Sequence, residues 1–154
     1  MANSQAIATS FKVEVLNGIH AFGTSVVRAA TTADSFKAAL YLTTATIGAA
    51  STAYTATGEV SGTGYTAGGV DLTGAVDWIA PASSGTTAFS TCTASIVYTT
   101  VTLTTAFDAV MIYNSTQSNK MVGCYTFGSQ TITAGILTLT MPTNDSSTGL
   151  MRIS

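Results

Sequence analysis

Ile96-Val97-Tyr98-Thr99-Thr100-Val101-Thr102-Leu103-Thr104-Thr105 decides how the chain is read. Val97, Val101 and Leu103 share one parity and Thr100, Thr102 and Thr104 the other, which is the two-residue period of a strand with one face inside. Side chains branched at Cβ are stiff at χ1 and suit a pleated, half-buried surface better than a helix. Just downstream, Asp108 to Asn114 (DAVMIYN) is a nearly continuous apolar run. It predicts a strand covered on both faces and lying centrally in its sheet. Lys120 to Phe127 sets Met121, Tyr125 and Phe127 against Val122 and Cys124, and Gly128-Ser129 then reads as a turn. Gly135 to Met141 alternates Leu137, Leu139 and Met141 with Ile136, Thr138 and Thr140, and Leu150 to Ile153 supplies a short last strand. The C-terminal half is therefore expected to be a meander of strands with short connections.

Upstream the pattern is mixed. Phe36 to Leu42 (FKAALYL) follows Thr32-Ala33-Asp34-Ser35, and its Tyr and Leu content favours a strand. Phe11, Val15, Ile19 and Phe22 recur at helical spacing after Ser10 as a possible N-cap, which predicts a short helix near Phe11 to Ile19 despite Gly18. Ala80 to Thr87 (APASSGTT) has loop composition, and Met1 to Ser10 reads as an extended N-terminal arm. The expected fold class is all-β: an antiparallel β-sandwich or jelly-roll-like domain of about eight strands, with at most one short N-terminal helix, filling residues 1–154 as one domain.

Composition narrows the function. Of 154 residues, 30 are Thr and 16 are Ser, while only 8% are charged and the formal net charge is -2. Polarity here is mostly hydroxyl. Lys and Arg occupy only positions 12, 28, 37, 120 and 152, too dispersed for the basic patch that phosphate neutralisation requires, so nucleic acid is not an expected partner. No run of 18 apolar residues spans a membrane, and the first ten residues lack the features of a signal peptide.

Groups that build catalytic or metal sites are sparse. Cys92 and Cys124 are the only cysteines, 32 residues apart and outside any CxxC or Cys/His cluster. Two small apolar core residues, a disulfide and a reactive thiol are all compatible with that spacing. His20 is the only imidazole, and nothing in the sequence places a nucleophile beside it; a packed or surface histidine is the ordinary alternative. Glu14, Asp34, Glu59, Asp71, Asp77, Asp108 and Asp145 are scattered, and Asp71 with Asp77 lacks the Gly and Glu positions of an EF-hand loop. Gly62-Thr63-Gly64-Tyr65-Thr66-Ala67 matches the form of a dinucleotide-binding turn, but no apolar strand precedes it, and the glycines at 58, 62, 64, 68, 69 and 74 oppose a following helix. The segment is expected instead to be an ordered, glycine-shaped loop held by Tyr65, with left-handed backbone positions. Catalytic residues, cofactor and metal are expected to be none. Asn114-Ser115-Thr116 and Asn144-Asp145-Ser146 fit the glycosylation pattern as accidental matches.

Tyr54-Thr55-Ala56-Thr57-Gly58-Glu59-Val60-Ser61-Gly62-Thr63-Gly64-Tyr65-Thr66-Ala67-Gly68-Gly69 resembles a family of small structural proteins of tailed bacteriophages, whose form is a Tyr, a Glu-Val, then Gly-x-Gly-Tyr and Gly-Gly. The likeness extends through Phe11-Lys12, Leu16-Asn17-Gly18-Ile19-His20, Phe36-Lys37-Ala38-Ala39-Leu40-Tyr41, Ile112-Tyr113-Asn114, Leu137-Thr138-Leu139-Thr140-Met141-Pro142 and Leu150-Met151-Arg152-Ile153. Thr105-Ala106-Phe107-Asp108 stands where family members often have a Thr-Ala-Arg run, so that arginine has no counterpart. The resemblance implies a non-enzymatic virion structural protein, localised to the virion, with Gly62, Gly64, Tyr65, Gly68 and Gly69 forming a structural loop. A capsid decoration or cementing protein on the outer surface of the head is the leading expectation. Its partners would be the major capsid protein or other virion proteins and its own copies, in closed symmetry such as a trimer. The alternatives are a neck, tail or baseplate component, or a virion-displayed carbohydrate-binding module using Trp78, Tyr54 and Tyr65.

Overall fold

The computed structural model describes residues 3–8, 11, 15, 19–20, 22, 33–85 and 87–153. Among them are eight strands: β1 (Ala6–Ile7), β2 (Phe36–Leu42), β3 (Val70–Asp71), β4 (Ala82–Ser84), β5 (Thr87–Ser90), β6 (Ile96–Asn114), β7 (Lys120–Leu139) and β8 (Met151–Ile153), with one 3-10 turn at Gly74–Val76. One sheet runs β1-β7-β6-β2-β3 and the other β4-β5-β8, every pairing antiparallel. The protein is all-β, with the two sheets packed in sandwich fashion.

The organising element is the β6–β7 ribbon. Asp108 to Asn114 lies in the middle of the larger sheet between β7 and β2, as its unbroken apolar run predicts, and Ala109 to Asn114 are all buried. The run from Ile96 to Thr105 belongs to the same strand, and here the parity differs from the expected one. Ile96 and Tyr98 point inward while Val97 is 43% exposed; Val101 and Leu103 then point inward on the opposite parity. Thr100 makes the change, with φ +55, and the pairing with β7 shifts register between Tyr98 and Val101 and at three further steps up to Ala109. Each such bulge adds a residue on one strand and bends the ribbon. The two legs consequently fold toward each other: the Tyr98 hydroxyl donates to the Ala38 carbonyl of β2 at 2.7 Å, and Ile96 lines one groove with Val110 and Ile112. Strands that cross a corner through bulges are a recognised way to pass from one layer to the next.

Other expectations are corrected on the same physical ground. Gly128-Ser129 makes no turn, because β7 continues through it as part of the bend. Ala80 to Thr87 contains β4, which pairs with β5. The N-terminal arm is extended but attached, since Ala6 and Ile7 pair with Cys124 and Gly123. The helix expected near Phe11 to Ile19 falls, apart from Phe11, Val15 and Ile19, outside the described residues. Phe36 to Leu42 is a strand, Gly135 to Leu139 alternates as read, and the last strand is Met151–Ile153.

The core joins the layers through aromatic rings. Phe22 stacks on Phe36 with centroids 5.1 Å apart, and Trp78 meets both edge-on at 5.1 and 5.8 Å. Such geometry presents positive ring edges to negative faces and adds to the area buried. Cys92 and Cys124 are free and buried, and burial pushes both thiols up to about 12, so they behave as small core residues.

Candidate functional site

The Gly-rich segment forms one ordered structure around Glu59. Its entry is fixed by β2: Leu42 N–H donates to the Gly58 carbonyl at 2.9 Å and Val60 N–H to the Leu40 carbonyl at 3.0 Å. Its exit is fixed by β3, which pairs Val70 and Asp71 with Ala38 and Lys37. Between these anchors the chain swings to the bend of β6, where Thr102 N–H donates to the Thr63 carbonyl at 2.9 Å.

Glu59 holds the swing in place. Its Oε1 accepts the Tyr65 hydroxyl and the Gly68 N–H, each at 2.7 Å, and its Oε2 accepts the Tyr54 hydroxyl at 2.6 Å. The Tyr65 oxygen in turn accepts the Leu40 N–H of β2 at 3.0 Å, so a carboxylate, a phenol and a strand amide form one relay. Tyr113 donates to the Gly68 carbonyl at 2.8 Å from below, and the rings pair as Tyr54 on Tyr113 at 4.8 Å and Tyr65 on Tyr98 at 6.0 Å. Burial, reinforced by hydrogen bonding to Glu59, raises the Tyr54 and Tyr65 phenols above their ordinary value. These hydroxyls are held neutral as donors to a carboxylate that accepts from three groups.

The glycines sit where backbone meets backbone. A Cβ on Gly69 would stand 1.8 Å from the Ala38 carbonyl oxygen, and Gly69 has φ +78, so both space and conformation require glycine there. A Cβ on Gly62 would meet the Thr102 oxygen at 2.1 Å, and one on Gly64 the Thr100 oxygen at 2.3 Å. Gly68 is looser, with only the Tyr113 hydroxyl at 3.3 Å. The structure thus brings together Gly62, Gly64, Tyr65, Gly68 and Gly69, and adds Glu59, Tyr54, Tyr98 and Tyr113. Glu59 stands within the quoted motif, but its position as the common acceptor has no signal in residue spacing.

A second buried network surrounds Asn114. Its Oδ1 accepts the Thr116 and Gln117 N–H groups at 3.1 and 3.0 Å, which fixes the amide orientation. Its Nδ2 then donates to Asp34 Oδ2 at 2.9 Å and faces His20 Nδ1 at 3.1 Å, making that nitrogen the acceptor. Asn114 is 0% exposed with its amide committed, so it offers no glycosylation site in the folded chain. His20 is a packed histidine, its ring 4.7 Å from Phe11.

The aromatics considered for sugar binding have other positions. Trp78 is 1% exposed within the core, and Tyr54 and Tyr65 are engaged at Glu59. Among the described residues no group of three His, Cys, Asp or Glu is placed to hold a metal ion, and no helix is long and apolar enough to cross a membrane. No family model, no curated protein and no solved structure matches the chain.

Proposed function

We propose that this chain is a non-enzymatic structural protein of a bacteriophage virion, acting as a decoration or cementing protein on the outer surface of the head. The observation that carries the reading is the distribution of charge over the β6–β7 ribbon. From residue 78 to residue 144 only Asp108 and Lys120 are charged, while the ribbon's outer side carries exposed threonines, Val97 and Ile136, the last 66% exposed. Such a surface lacks the charge that keeps freely diffusing copies apart and suits a protein docked in an assembly. The loop around Glu59 supports the same reading, because the motif behind the family resemblance is held by contacts that shape a surface.

As cement, each copy would bridge neighbouring capsid subunits through apolar and hydroxyl contacts, and repeated interfaces of roughly 1,600 Å² would stiffen the shell. Quantitative mass spectrometry of purified particles tests this. Copies on the order of hundreds per particle, in step with the repeated capsid lattice, support the head assignment. A dozen or so would move the protein to the neck, tail or baseplate, and its absence from particles would overturn the proposal. Binding to undecorated heads should also change little between about 0.15 and 1 M salt, since few charges are available to be screened.

A further inference from the structure

The larger sheet has an unfinished side. β7 is flanked by β1 only at Gly123 and Cys124, and among the described residues no strand pairs with its outer edge from Gly135 to Leu139. Thr138 and Leu139 at this edge, with Tyr125 and Phe127 across from them, line an apolar groove of about 290 Å³ whose floor is Ile96 and Ile112. The two layers are therefore open between the legs of the bent ribbon. Natural edge strands are usually blunted by charge or proline. Here no charged residue occurs between Lys120 and Asp145, and no proline between Lys120 and Pro142.

We propose that this edge pairs with the same edge of a second copy of the chain, antiparallel about a two-fold axis. An antiparallel pair made from one strand and its own copy is self-complementary, so a single surface supplies both partners. Residues facing each other across such a pair lie on the same side of the sheet, so the axis must pass beside a residue rather than between two. For the leg 135–140 the widest overlap puts it at Leu137 or Thr138. Leu137 and Leu139 then extend the apolar interior from one copy into the other, while Ile136, Thr138 and Thr140 form a continuous outer row. The other edges are charged, short or next to proline: β3 carries Asp71 and β8 Arg152, β4 is three residues long and follows Pro81, and β1 has two residues, whereas the β7 leg is longer and brings no like charges together. The proposed pairing is two-fold, where the sequence reading expected closed symmetry such as a trimer, and it does not depend on the virion reading. The paired leg alone buries less than the roughly 800 Å² per partner of a stable interface, so association is reversible.

Sedimentation of the full chain from about 1 to 100 µM should show a mass rising toward that of a dimer. Thr138→Lys and Thr138→Asp, each exposed in the monomer, should each weaken association at least about tenfold while leaving circular dichroism and melting unchanged, and mixing the two variants should restore the dimer. Ile136→Lys serves where either variant misfolds. A wild-type chain that stays monomeric over that range, a trimer, dimers that survive all three substitutions, or variants that fail to recombine would each overturn the proposal. Monomers that bind heads through this edge would assign it to a different protein's strand.

Discussion

Removing the carboxylate at position 59 should destabilise the whole Gly-rich segment, and the structure allows the loss to be worked out. Glu59→Ala deletes three charge-assisted hydrogen bonds. The half-buried Tyr54 hydroxyl can turn to water, but Gly68 N–H is buried and the Tyr65 hydroxyl is packed between Tyr98 and β2. Two donors left unsatisfied at about 1 to 3 kcal/mol each give an expected loss of about 2 to 6 kcal/mol. Glu59→Gln keeps one oxygen for Tyr65 and Gly68 and offers an amide to Tyr54, which can accept in place of donating; it should lose about 1 to 2 kcal/mol. Trp78 is the only tryptophan and is buried, so its fluorescence reports urea unfolding directly. For a chain of this size the alanine variant should melt on the order of 10 °C lower. A loss under about 1 kcal/mol for Glu59→Ala would refute the assignment of Glu59 as the acceptor that holds the loop.

Gly69→Ala should be far more damaging than Gly74→Ala: the first drives a Cβ into the Ala38 carbonyl, whereas the second meets nothing within 4 Å and costs only the strain of φ +64, about 1 to 2 kcal/mol. Equal melting temperatures for the two variants would show that the close approach is not rigid. The fold should also fail at alkaline pH. Burial raises Cys92 and Cys124 from 9.0, and Tyr113 from 10.0, to about 12, and it raises Tyr41, Tyr65, Tyr98 and Tyr125 as well. Because the protonated forms are favoured in the folded state, the stability they contribute is complete below about pH 9 and is lost as pH rises toward 12. Tyrosinate absorbance should therefore appear together with loss of circular dichroism; full titration near pH 10 in a folded protein would contradict the buried phenols.

The fold was legible where one residue type dominated a face. Asp108 to Asn114 announces a central strand because the five residues from Ala109 to Tyr113 leave no polar face, and Leu137 and Leu139 alternate with exposed Ile136 and Thr138 in a regular leg. The bend was not legible. Thr100 carries its left-handed angle in a run of threonines that looks uniform, and the parity change it causes moves Val97 to the outside. Gly128-Ser129 misled for a related reason, since glycine in a strand can mark a sharp bend as well as a turn. At the loop, glycines and Tyr65 were readable as a shaped segment because their backbone freedom and bulk are intrinsic. The acceptor role of Glu59 depends on Tyr54, Tyr65 and Gly68 converging in space, and the hub at Asn114 on Asp34 and His20 arriving from 80 and 94 residues away.

The few acidic groups explain how a chain so poor in charge keeps long loops ordered. Glu59 gathers the Gly-rich segment, and Asp34 receives Asn114 and, at 3.2 Å, Gln117. Asp108 accepts Asn3 at 2.6 Å and ties the N-terminal strand across the sheet, while Asp77 accepts the Trp78 N–H at 2.8 Å. Asp71 pairs with Lys37 across β3 and β2 at 3.4 Å, and Asp145 accepts from Ser147 and Thr148 to close its own turn, which holds its carboxyl below the usual range. All six acids among the described residues are thus committed within the chain, each to a backbone or side-chain partner that a neutral hydroxyl would hold less strongly. Along the β6–β7 ribbon what faces outward is mostly hydroxyl and methyl. The same allocation that pins the loops therefore leaves the ribbon's outer row and the unpaired edge of β7 without charge, so internal order and the uncharged surface on which the proposed contacts rest follow from one distribution of carboxylates.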